Sequence, residues 1–144
     1  MLVRTTRFAN VEVPAEDLIR FPEGMLGLDD CHSWVLLADA QNEAIGWLQS
    51  TTRPSVALAV VSPRRFVPDY QLRVFRRELA SLELARPEDA QVLSIMSKNE
   101  RGITLNLKAP ILMNLEKRLG RQVIANGEMP LQYELTTTAL RKTA

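Results

Sequence analysis

Apolar residues fall in short runs along this chain, separated by polar or turn-forming residues. Val56–Val61 is a continuous apolar run between Pro54 and Pro63. Neither proline can donate a ladder hydrogen bond, so the run reads as a buried strand with fixed ends. Trp34–Leu37 and Ile45–Leu48 flank the polar stretch Asp39–Glu43, the pattern of a hairpin whose loop exceeds two residues. Val92–Met96 and Ile103–Leu107 flank Lys98–Gly102 in the same way. Here Ile103, Leu105 and Leu107 alternate with Thr104 and Asn106, which puts the three apolar side chains on one sheet face. Gln122–Ala125 and Leu131–Leu135 surround Asn126 and Gly127 and predict a third hairpin, its loop running from Asn126 to Pro130.

One helix is predicted. Phe75, Leu79 and Leu82 recur at helical spacing, with Arg76, Arg77, Glu78 and Glu83 off that stripe, and Pro87 ends any continuation. A helix of two turns does not stand alone in water and must dock on the sheet. Ile111, Leu115 and Leu119 repeat at a similar spacing behind Pro110. A bulged strand satisfies the same residues, and the pattern leaves both open. The predicted fold class is mainly β: a small β-barrel-like single domain over residues 1–135 with one short helix. A polar, basic tail, residues 136–144, is expected to fray.

Composition narrows the function. The chain has 144 residues, one domain's worth, with 46% apolar and 24% charged residues. Lys and Arg number 18 against 17 Asp and Glu, a net charge of +1. That balance argues against a chain-wide electrostatic surface for nucleic acid but leaves room for a local patch. Arg64, Arg65, Arg73, Arg76 and Arg77 form one, and Lys117, Arg118 and Arg121 a second. Aromatic residues, at 6%, supply few platforms for stacking bases. Cys31 is the only cysteine, so no intrachain disulfide forms. No apolar run approaches the ~20 residues of a membrane span. A cytoplasmic protein is expected, with no membrane contact.

Catalytic chemistry is poorly provided for. Cys31 and His32 are neighbours, and neighbours in extended chain point to opposite faces, so they do not form a nucleophile–base pair. One His and one Cys do not make a zinc site, and no phosphate-binding loop or nucleophile elbow is present. Gly24-Met25-Leu26-Gly27 reads as a glycine-bearing turn. The carboxylate pairs Glu16-Asp17, Asp29-Asp30 and Glu88-Asp89 sit near turn signals, where they are solvated or cap a helix. A binding protein is expected, with no enzymatic activity, cofactor or metal.

Three phrases carry a resemblance. They are Phe21-Pro22-Glu23-Gly24-Met25-Leu26-Gly27-Leu28, Thr104-Leu105-Asn106-Leu107-Lys108-Ala109-Pro110-Ile111-Leu112-Met113-Asn114, and Gly120-Arg121-Gln122-Val123. Between the first two lie Leu48-Gln49-Ser50 and Pro68-Asp69-Tyr70. In this order and spacing the chain resembles the bacterial flagellar assembly factor family, FliW, over residues 8 to 135. The resemblance implies a cytoplasmic, non-enzymatic binding protein with a small β-barrel-like fold and two partners. One is CsrA, a dimeric RNA-binding translational repressor. The other is flagellin before export. It implies that the protein sequesters CsrA away from its RNA surface, relieving repression of flagellin synthesis, and that accumulated flagellin captures the protein and restores repression.

Gln49, Tyr70, Asn106 and Asn114 are the candidate partner-facing positions. Each also has a structural reading: asparagine amides brace nearby backbone, and Pro68-Asp69-Tyr70 suits a turn with a packed ring. Trp34 and Trp47 are core candidates, although an exposed Trp makes an interface anchor. The alternative function is a nucleic-acid-binding small β-barrel using the Arg64–Arg77 cluster, whose affinity would fall steeply with salt.

Overall fold

The computed structural model describes residues 1–135; the 136–144 tail lies outside the described residues. Eleven strands form among the described residues. An N-terminal ribbon pairs β1 (Leu2–Arg4) with β2 (Asn10–Glu12). The remaining strands are β3 (Ile19–Arg20), β4 (Ser33–Ala38), β5 (Gly46–Ser50), β6 (Ala57–Val61), β7 (Gln91–Asn99), β8 (Gly102–Leu105), β9 (Ile111–Asn114), β10 (Leu119–Gln122) and β11 (Tyr133–Glu134). β7, β6, β5, β4, β3, β10 and β9 follow one another, and β9 pairs back to β7, closing a seven-strand barrel. The expected fold class, mainly β and barrel-like, is observed.

The barrel interior follows from period-two alternation. Trp34 from β4, Leu48 from β5, Val60 from β6 and Ile111 and Met113 from β9 point inward, joined by Ile19, Phe21, Met25 and Cys31. Full closure leaves the ring no free edge. Three further clusters pack outside it. The β1–β2 ribbon lays Val3 and Val13 on Val35. Val61, Tyr70, Leu105 and Leu107 join β6 to β8. Leu82 covers Leu112, Leu119 and Val123.

The Val56–Val61 run forms β6, and the first two predicted hairpins are present as β4–β5 and β7–β8. The β4–β5 loop is held by Asp39. Trp47 Nε1–H donates to Asp39 Oδ1 (2.9 Å), and the Gln41 and Asn42 amides donate to Oδ2. These bonds, the Trp47 one foremost, hold the Asp39 carboxyl below its ordinary value. The third predicted hairpin does not form. Gln122 pairs with Ile111 inside a β9–β10 hairpin, and β11 pairs with β8 instead. Residues after β10 continue beside the same neighbour: the Val123 amide donates to Pro110 O and the Ala125 amide to Lys108 O. The segment left open between helix and bulged strand is therefore two four-residue strands.

The expected short helix is a 3-10 helix over Arg76–Leu82. Its three-residue turn changes which side chains share a face. Leu79 and Leu82, three apart, face the sheet. Phe75 is 48% exposed, so its predicted place on the buried stripe is corrected. Cys31 is buried and His32 exposed, as extended chain requires, and the His32 ring contacts Phe21 O through Nδ1 (2.9 Å).

Candidate functional site

The three phrases meet at one end of the barrel. β3 runs into the Phe21–Leu28 turn, and the Phe21 ring lies against Gly120 of β10. A Cβ built on Gly120 would fall 2.4 Å from Phe21 Cζ, so only glycine admits the ring there. Gln122, two residues on, spans all three phrases. Its Oε1 accepts the Leu26 amide (3.0 Å), and its Nε2 donates to Ala109 O (3.0 Å).

Gly24 (φ +69°) and Gly27 (φ +79°) take backbone conformations that favour glycine. Their turn closes with the Leu28 amide on Met25 O (2.9 Å). Met25 is buried and Leu28 packs against the barrel core, whereas Leu26 at the tip is 58% exposed. An apolar side chain thus stands in solvent on a turn fixed from two sides. The same loop carries Glu23, Asp29 and Asp30, of which Asp30 pairs with Arg53 (3.3 Å).

The second phrase steps between two neighbours of β7. β8 pairs with Met96–Asn99 of β7, and β9 pairs with Gln91–Leu93. Asn106 builds the step. Its Oδ1 accepts the Lys108 (3.1 Å) and Ala109 (2.9 Å) amides, while its carbonyl accepts Ser94 Oγ (2.7 Å). Lys108 Nζ then donates to Ala125 O (2.9 Å) and Gly127 O (2.7 Å), tying the step to the chain after β10.

The other candidates also bond to this chain's own backbone. Gln49 is fully buried, its Nε2 donating to Ser50 O (2.9 Å) and Pro54 O (3.2 Å). Tyr70 is buried with its hydroxyl on Leu107 O (2.9 Å), and burial pushes its phenol above the ordinary value. Asn114 donates to Leu82 O (2.8 Å) and Glu83 O (3.3 Å), tying the 3-10 helix to β9. Gln49, Tyr70 and Asn114 are thus buried with their donors on this chain's own backbone, and Gln49 Oε1 is buried without a hydrogen-bond partner among the described residues. Asn106 is half-buried and braces the β8–β9 step. Trp34 is buried; Trp47 is half-exposed, with the Arg7 guanidinium over its ring (4.3 Å) and Phe8 at its edge.

Leu26 and Gln122 were not among the candidate residues. Their signal was the pairing of two phrases of one resemblance, which places residues 96 apart in contact. Among the described residues no group of three or more His, Cys, Asp or Glu side chains is arranged to hold a metal, and no helix is long and apolar enough to cross a membrane.

The family model for "FliW protein" matches residues 2–135. The chain belongs to the FliW family. It is 36% identical over 126 residues to the flagellar assembly factor FliW of Bdellovibrio bacteriovorus, spanning 86% of this chain and 72% of the relative. It is 36% identical over 138 residues to that of Desulfitobacterium hafniense, spanning 94% and 91%. A crystal structure of the flagellar assembly factor FliW superposes with a TM-score of 0.84 at 26% identity, covering 94% of this chain and 96% of that one. The FliW fold and the β-barrel seen here are one architecture.

Proposed function

We propose that this chain is a cytoplasmic flagellar assembly factor that acts by stoichiometric binding and turns over no substrate. In this reading it binds the translational regulator CsrA, relieving repression of flagellin synthesis, and binds flagellin as a chaperone. Membership of the family supports it, and so do the relatives that carry the name flagellar assembly factor. The observation that carries it is the corner itself. Phe21, Gly120 and Gln122 are spent on fixing one turn, Asn106 braces the adjoining β8–β9 step, and the turn holds out Leu26. An apolar anchor on a rigid loop loses little freedom on binding, which suits a contact surface.

CsrA is bound away from its RNA surface in this reading, so the antagonism is allosteric. By linkage, RNA then weakens CsrA's hold on this protein by the same factor. Flagellin competes through an amphipathic terminal helix laid in a groove. Calorimetric titration with CsrA and flagellin of the same organism tests the reading: saturable heat with each is expected, and no heat or complex with either would end it. Flagellin stripped of its terminal segments should bind weakly. Full affinity in the truncated form would remove the helix-in-groove mode.

A further inference from the structure

On the barrel's outer flank, a groove of about 750 Å³ lies between the chain leaving β6 and the chain entering β7. Leu72, Val74, Leu79 and Val92 line it and are only half-buried, so apolar surface remains open along its length. Arg64 and Arg73 stand on one rim. They belong to a stretch, residues 62–77, that holds five arginines against a single carboxylate, Asp69. None of these five is in an ion pair among the described residues. On the other rim Glu88 lies beside Arg86 (3.8 Å), which also pairs with Asp89 (3.2 Å). One rim is thus positive and without ionic partners, and on the other a single arginine already serves two carboxylates.

Two kinds of partner present negative charge to such a surface. RNA needs flat rings on which bases stack. In this stretch one face of Phe75 is taken by the Arg77 guanidinium (4.4 Å), Phe66 packs against the Val61–Leu107 cluster, and Tyr70 is buried with its hydroxyl engaged. An apolar floor beside a cationic rim matches a peptide with both apolar and acidic side chains. We infer that this groove docks an acidic, amphipathic peptide segment of a partner protein. Its apolar side chains seat on Leu72, Val74, Leu79 and Val92, and its carboxylates meet Arg64 and Arg73. Arg64 spends Nε–H on Tyr70 O (3.0 Å), and the rest of its five-donor guanidinium faces the incoming carboxylate.

The inference stands apart from the CsrA and flagellin reading, and its test uses neither protein. A random peptide library displayed on phage is selected on the full chain, and enriched peptides are titrated by fluorescence anisotropy. Acidic sequences with spaced Leu, Ile or Phe are expected. Loss of one charge-assisted contact in Arg73→Ala should weaken them about tenfold, and Arg73→Glu with Arg76→Glu more than about a hundredfold. Arg73→Lys, which keeps the charge, should retain most of the affinity and guards against a folding defect in the reversal variant. No enrichment, a neutral or basic consensus, or affinities untouched by these substitutions would overturn the inference. Filter binding of a uridine oligonucleotide at two salt concentrations runs alongside. Salt-steep RNA binding lost in the same variants, without acidic peptides, would assign the rim to phosphate and overturn it too.

Discussion

At the corner where the three phrases meet, Phe21, Asn106, Gly120 and Gln122 bond or pack against this chain, and Leu26 alone stands well out into solvent. On the Ser62–Asp89 flank the order is reversed. Backbone there runs in short 3-10 turns, and the five arginines of residues 62–77 are exposed without ionic partners among the described residues. The contrast separates two jobs. The residues that mark the family hold the backbone in shape, and much of the exposed chemistry sits on a stretch whose one family phrase, Pro68-Asp69-Tyr70, turns its ring inward. A motif in a binding protein therefore locates the scaffold before it locates the contact.

Substitutions can break that division, beginning where the corner is tightest. Gly120→Ala puts a methyl group into the Phe21 ring, and overpacking of this kind should cost about 1–3 kcal/mol. Thermal unfolding followed by circular dichroism reads it, and an unshifted melting temperature would mean the ring is not confined. Asn114→Ala removes the amide that serves the Leu82 and Glu83 carbonyls and should cost about 1–2 kcal/mol by denaturant titration. Full partner affinity in the remaining folded protein would confirm a bracing role, and lost affinity without lost stability would return Asn114 to the interface.

Tyr70→Phe deletes one buried hydrogen bond, worth about 1 kcal/mol. Its pH signature is separable. Burial raises the Tyr70 phenol above 10.0, so the folded state favours the protonated form. That stability is complete below pH 10 and is lost as the pH climbs through the raised value. The native protein should therefore lose melting temperature faster than Tyr70→Phe in alkaline buffer. Parallel curves would place the hydroxyl in solvent. The smallest effect on stability belongs to Leu26→Ser, within about 0.5 kcal/mol for an exposed side chain. The same variant should lose affinity for CsrA or flagellin in the calorimeter, and unchanged binding of both would move the contact surface away from this turn.

Strands were legible where an apolar run met firm punctuation. The prolines around β6 and the polar loops of β4–β5 and β7–β8 mark their boundaries in the sequence alone. The β9–β10 hairpin was not legible, because each strand has four residues and Ile111, Leu115 and Leu119 imitate a helical stripe. In the structure Leu115 lies in the exposed turn between them. Asn126 and Gly127 looked like a hairpin turn because local sequence reports a bend without reporting which strands it joins. The bracing of Asn106 and Asn114 was among the readings open to the sequence. The burial of Gln49 was not visible, since a polar residue inside a barrel wall is defined by its neighbours in space, here Val35, opposite it on β4 and packed under Val3 and Val13, and the Pro54 carbonyl it bonds.

β7 has two successive neighbours along one edge, and ring closure draws only on Gln91–Leu93. The β8–β11 pair is in that sense an annex, able to unzip from Met96–Asn99 while the ring keeps its seal. Deuterium should enter the Gly102–Leu105 amides ahead of those in Ile111–Asn114. Each such excursion would uncover Val61 and Tyr70 and leave the interior around Trp34 dry.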